Sequence, residues 1–159
     1  SETWQNKEID EQDFVTTYIK NTLNESAVEN LKILDQKEIN AGPVRHLKTS
    51  FQFDLGDNSA VEIAEKLHPT PAVSGLPQKD ALELIEKSEK HERILYAGMM
   101  GVVGEQSTQL FVNLRCAEII QNQAYLYLGG GLTKDSTVES EWRETENKAK
   151  TLLNVMKKQ

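Results

Sequence analysis

Near one end of the chain a glycine triplet, Gly129-Gly130-Gly131, precedes a stretch reading Glu141-Trp142-Arg143-Glu144-Thr145-Glu146-Asn147-Lys148. Glu141, Glu144 and Lys148 stand at i, i+3 and i+7, so a helix puts two carboxylates and an ammonium on one face. The glycines carry two readings. They can relieve crowding and permit positive φ, or they can bare backbone N–H groups toward a carboxylate or phosphate. A second carboxylate pair, Glu8 and Glu11, is spaced like Glu141 and Glu144. Each pair alone reads as a solvated helix face, whereas two pairs brought together would offer the oxygen ligands that Mg²⁺ takes. Arg115 suits either a rim ion pair or a bidentate carboxylate clamp. His46 is a surface or a cleft histidine, Tyr96 a core or edge aromatic, and Cys116 a buried, inert thiol. No Cys/His spacing suits zinc, and there is no nucleophile elbow.

These side chains need elements to hold them. Glu8 to Glu25 reads as an amphipathic helix with an apolar stripe of Ile9, Phe14, Val15, Tyr18, Ile19 and Leu23. Leu31 to Leu34 reads as a short strand and Asn40 to Pro43 as a turn. Leu47, Thr49, Phe51, Phe53 and Leu55 then alternate with His46, Lys48, Ser50, Gln52 and Asp54, the period of a half-buried strand. A turn at Gly56 to Asn58 and a short helix from about Ser59 to Leu67 follow. The three prolines between His68 and Pro77 predict a loop, with Pro77 opening a helix built on Ala81, Leu82 and Ile85. Strands are expected over Ile94 to Val103, Gln109 to Ile119 and Ala124 to Gly129, the last two forming a hairpin near Gln121-Asn122. A capping box at Ser136 to Glu139 predicts a closing helix that runs to about Met156. The order predicts an α+β fold, a largely antiparallel sheet with helices packed on one face. No GxGxxG supports a dinucleotide fold.

Composition narrows the classes. The 159 residues, 38% hydrophobic and 27% charged, suit one soluble domain with a core. A formal charge of −7 argues against a phosphate-tracking surface, so no nucleic-acid partner is expected. Apolar runs fall short of a membrane span, and the polar opening residues show no signal-peptide core. One cysteine fits a reducing compartment, so the expected location is cytoplasmic.

Three segments taken together resemble the chorismate-utilising enzymes. They are His68-Pro69-Thr70-Pro71-Ala72-Val73-Ser74-Gly75-Leu76-Pro77, Leu95-Tyr96-Ala97-Gly98, and Glu141-Trp142-Arg143-Glu144-Thr145 with Lys148. The His-Pro-Thr-Pro-Ala-Val form is similar to the isochorismate synthase branch of that family, with salicylate and anthranilate synthases as alternatives. The resemblance covers essentially the whole chain, but only the C-terminal part of the family's much longer enzymes. It implies that residues 1–159 form the C-terminal part of a chorismate-binding domain, within a larger sandwich of sheets. It implies Mg²⁺ as cofactor, ligated by Glu11 and Glu144, with Glu8 and Glu141 holding metal-bound waters. Tyr96 and Arg115 would grip the enolpyruvyl carboxylate, Gly129, Gly130 and Gly131 would cradle a carboxylate, and Lys148 would add positive charge beside the metal. His46 would line the pocket. The family's general base, a lysine, and its general acid, a glutamate, come from the preceding half, so neither is present here. The resemblance thus implies chorismate as substrate, the missing N-terminal half as partner, and a menaquinone or siderophore pathway. The chain alone is expected to be inactive and to self-associate through uncovered sheet surface; a non-catalytic chorismate- or Mg²⁺-binding fragment is the reading of a different class. One departure stands out: the family's first-helix motif usually has histidine where this chain has Gln12.

Overall fold

The computed structural model describes residues 6–41 and 44–156. The chain divides into two compact units, Ser1–Ala72 and Val73–Gln159. Among the described residues the strands pair as three antiparallel two-stranded ladders; one helix precedes the first, three helices separate it from the other two, and one helix follows. The class is α+β, as the order of elements predicts.

In the first unit the amphipathic stripe becomes α1, Asn6–Glu25, which buries Leu23 to 1% exposure. The helix stops where the Ser26 hydroxyl donates back to the Thr22 carbonyl at 2.7 Å and Ala27 takes a left-handed φ of 54°. Strand β1, Glu29–Ala41, pairs with β2, Val44–Asp54. β1 is much longer than the expected Leu31–Leu34 strand. Its polar run Asp35-Gln36-Lys37 shows no alternation, and a register shift between Leu34 and Lys37 explains why. The centre of the turn expected at Asn40–Pro43 lies outside the described residues. Thr49, on the face of β2 that the alternation marks as covered, meets α1: Gln12 Nε2 donates to its hydroxyl at 3.1 Å. Helix α2, Ala60–Leu67, opens on a capping box between Ser59 and Glu62 and buries Ile63. Asn58 joins three elements. Its amide donates to the carbonyls of Ser26 and Leu55 at 2.9 Å and accepts from Lys66 Nζ at 2.9 Å.

The prolines predict a loop throughout their segment, but Pro71–Ser74 forms a one-turn helix, α3. Proline at a first helical position loses only an N–H that would have no partner there, so Pro71 starts the turn without cost to its bonding. In the second unit α4, Gln78–Ser88, follows Pro77, which stands at its N-cap. Strand β3, Met99–Val103, pairs with β4, Thr108–Val112, and β5, Cys116–Ile120, pairs with β6, Gln123–Tyr127. The single strand expected over Gln109–Ile119 is therefore two strands, interrupted at residues 113–115, and the strand expected from Ile94 begins only at Met99. The hairpin turn falls where predicted, with Gln121 at φ 54°. Helix α5, Val138–Met156, closes the described chain.

Candidate functional site

Between α4 and β3 the chain makes a tight, strained turn that presents Tyr96. Arg93 anchors its start. Its guanidinium donates to both Glu89 carboxylate oxygens at 2.6 and 2.8 Å and to the Val73 carbonyl at 3.2 Å. The same guanidinium lies 5.8 Å from the centre of the Tyr96 ring. On another side Tyr96 stacks on Tyr127, with ring centres 6.1 Å apart. Ile94 and Ala97 both hold positive φ, 50° and 60°, and Ala97 is buried. Burial pushes the Tyr96 phenol up from its usual value, with Arg93 pulling the other way. At neutral pH the phenol is therefore a proton-bearing hydrogen-bond donor.

Tyr96 reaches Gly129. A Cβ at Gly129 would lie 2.6 Å from the phenol oxygen, so only a bare backbone accepts the ring there. The next residue, Gly130, faces α5. That helix starts from a reciprocal cap in which Ser140 N–H donates to Thr137 Oγ1 at 3.2 Å and Thr137 N–H to Ser140 Oγ at 3.3 Å. The box expected from Ser136 and Glu139 is thus shifted by one residue. Ser136 Oγ accepts from Thr133 N–H instead, at 3.0 Å, which takes it out of competition for the helix end. The i, i+3, i+7 face then lines up on the glycine. Glu141 Oε2, Glu144 Oε1 and Lys148 Nζ stand 3.4, 3.6 and 3.7 Å from where a Gly130 Cβ would sit. Lys148 Nζ also donates to the Gly129 carbonyl at 2.9 Å and pairs with Glu144 Oε1 at 2.5 Å.

This cradle brings together Tyr96, Gly129, Gly130, Glu141, Glu144 and Lys148. A side chain at Gly130 would come into ordinary contact with an ammonium and two carboxylate oxygens. Such hard donors fit Mg²⁺, which takes one or two carboxylates and keeps several waters. Among the described residues no group of three or more His, Cys, Asp or Glu that could hold a metal ion occurs. Glu11 lies on α1 of the first unit, one residue before Gln12. His46 lies on β2 opposite Ile39, at a position that alternates with Thr49 along the pleat. The side chain of Glu8 lies outside the described residues. Gly131 continues the exposed backbone run beyond the cradle. Arg115 is not on a strand, as its apolar neighbours suggest, but in the β4–β5 break at φ 53°. Cys116, expected to be buried, is half-buried at the start of β5. Sequence reasoning passed over Glu89, Arg93, Asn113 and Tyr127. The i, i+4 spacing of Glu89 and Arg93 and the turn-forming asparagine inside an apolar run were the available signals.

No helix among the described residues is long and apolar enough to cross a membrane. Comparison with known proteins matches residues 3–157 to the family described as chorismate binding enzyme. The chain is 34% identical over 151 residues to the isochorismate synthase EntC of Escherichia coli (strain K12), covering 94% of this chain and 39% of that protein. Among solved structures, MenF, the menaquinone-specific isochorismate synthase from Escherichia coli, superposes with a TM-score of 0.83 at 32% identity, over 93% of this chain and 34% of its own. DhbC from Bacillus anthracis gives a TM-score of 0.88 at 31% identity, over 96% of this chain and 42% of its own. The chain thus spans about two fifths of the length of these relatives.

Proposed function

Because this chain belongs to the chorismate binding enzyme family, we propose that it is the C-terminal part of a Mg²⁺-dependent isochorismate synthase. The observation that carries the reading is the cradle at Gly130, where two carboxylates and an ammonium stand around the bare backbone. Chorismate bears two carboxylates, so its enzyme needs cationic and N–H partners at two points. Glu144 and Glu11 would hold Mg²⁺, with Glu141 and Glu8 acting through its waters. When bound, the metal supplies a positive anchor for the ring carboxylate. Lys148 fixes the Glu144 carboxylate and ties it to the Gly129 carbonyl, so the ligand is oriented before anything binds. Tyr96, kept protonated by burial, donates to the enolpyruvyl carboxylate, and Arg115 adds a guanidinium to it. The backbone at Gly129 to Gly131 completes the cradle, and His46 lines the pocket by the reacting ring.

The reaction adds water at C2 of chorismate and expels the C4 hydroxyl, which needs a general base and a general acid. Both would come from the N-terminal half of the parent enzyme; this chain spans about two fifths of its relatives' length. Chorismate and Mg²⁺ should therefore be supplied to this chain alone and to this chain mixed with that half. Isochorismate in the mixture alone is the expected outcome. Turnover by the isolated chain would contradict the division of labour. Salicylate or anthranilate, distinguishable by their fluorescence, would move the assignment to another branch of the family.

A further inference from the structure

We propose that Asn113 is the positioning residue that sets Tyr96 and Arg115 as one carboxylate grip, a role that rests on the function proposed above. Residues 113–115 interrupt what would otherwise be a continuous strand. The Leu114 N–H donates to the Val112 carbonyl at 3.0 Å, which closes a three-residue turn with Asn113 at its centre. From that turn Asn113 holds the Tyr96 segment with three bonds. Its N–H donates to the Gly98 carbonyl at 2.7 Å, its carbonyl accepts from Ala97 N–H at 2.9 Å, and its side-chain Nδ2 donates to the Leu95 carbonyl at 2.9 Å. These bonds bracket Tyr96 on both sides.

The bracket has something to hold. Ile94 and Ala97 sit in left-handed backbone, which is costly for a residue with a Cβ and most of all for a β-branched one. Such a turn persists only when its surroundings over-determine it. The Leu95 carbonyl accepts from both Gly98 N–H, at 3.2 Å, and Asn113 Nδ2, so the asparagine amide reinforces the bond that closes the turn. Two residues further on, Arg115 takes its own left-handed conformation, φ 53°, in the same break. Through two backbone bonds and one side-chain bond, Asn113 thereby ties the loop that carries the phenol to the link that carries the guanidinium. An aspartate at this place would set a carboxylate against the Leu95 carbonyl, and a serine hydroxyl is too short to span to it.

The test is a double-mutant cycle in the parent enzyme, read as KM for chorismate and kcat. Asn113→Ala should raise KM about tenfold and change kcat by less than about threefold, the pattern of lost uniform binding. Asn113→Ser should behave alike and serves if the alanine variant folds poorly; Asn113→Asp should be at least as severe. In a Tyr96→Phe background the same alanine change should add clearly less than about tenfold, because only the Arg115 half of the grip is left to position. An unchanged KM, or an effect that persists in full beside Tyr96→Phe, would overturn the proposal. A second measurement needs no turnover: titration of the Tyr96 phenol by NMR in this chain. With Asn113→Ala its pKa should fall back toward the ordinary 10.0, while Asn122→Ala, at the β5–β6 turn, should leave it raised. An unmoved phenol in the Asn113 variant would also overturn the role. A parent enzyme that ignores chorismate would instead defeat the proposed function, leaving the titration to decide on Asn113.

Discussion

At Gly129 and Gly130 a missing side chain does two different jobs, and single alanines separate them. A Cβ at Gly129 would collide with the Tyr96 phenol oxygen at 2.6 Å. The ring is held by Arg93 and Tyr127, so Gly129→Ala should displace it and lower stability by about 1–3 kcal/mol. A Cβ at Gly130 would instead sit in ordinary contact range of Glu141, Glu144 and Lys148. Gly130→Ala should therefore leave stability within about 1 kcal/mol, since alanine also restricts the unfolded chain. It should nonetheless weaken Mg²⁺ binding about tenfold or more by filling the cradle. Thermal melts and Mg²⁺ titration of the two variants check both halves of the contrast. Equal loss of metal binding without loss of stability in both would refute it.

At the scale of elements, the segment from Glu89 to Gly98 is held by charge as well as by backbone bonds. The Arg93 guanidinium holds the Glu89 carboxyl below its usual range through their hydrogen bonds. A carboxylate depressed in the folded state contributes stability that is present above its unfolded value of 4.5 and is lost as pH falls through the folded one. Acid titration of stability should show a component of about 1 kcal/mol that disappears in Glu89→Gln. Identical pH profiles for both chains would exclude it. Which elements could be read from the sequence follows from how local their causes are. The α5 face was legible because spacing alone aligns Glu141, Glu144 and Lys148, and β2 was legible because its alternation is unbroken. The β4–β5 break was hidden, because Leu110, Phe111, Val112 and Leu114 look like one apolar strand and the cause is Asn113 bonding to a distant turn. The helix cap was displaced because Ser136 and Thr137 are chemically alike, and a bond to Thr133 decides between them. Neither the strain at Ile94 and Ala97 nor the packing of Tyr96 on Gly129 leaves any local trace.

At the scale of the whole chain, many large apolar side chains among the described residues are exposed. Phe111 is 64% exposed, Trp142 67% and Leu132 79%, while among the described residues the buried apolar side chains are Leu23, Ile63 and Ala97. Two-stranded ladders cannot cover both of their own faces, and isolated hairpins are marginal in water. A formal charge of −7 opposes association only at long range. Sedimentation should show the isolated chain growing beyond its 18.0 kDa mass as concentration rises, and the remaining part of the parent enzyme should suppress that growth. A strictly monomeric chain would show that these faces need no cover.

Whether the α5 face at Gly130 holds the metal is decided by the Mg²⁺ dependence of chorismate turnover in the parent enzyme carrying Glu144→Gln. Glutamine keeps the shape and removes the charge. The variant should need at least about a hundredfold more Mg²⁺, or lose turnover, while remaining folded. A Mg²⁺ dependence indistinguishable from that of the unaltered enzyme would contradict metal binding at that face.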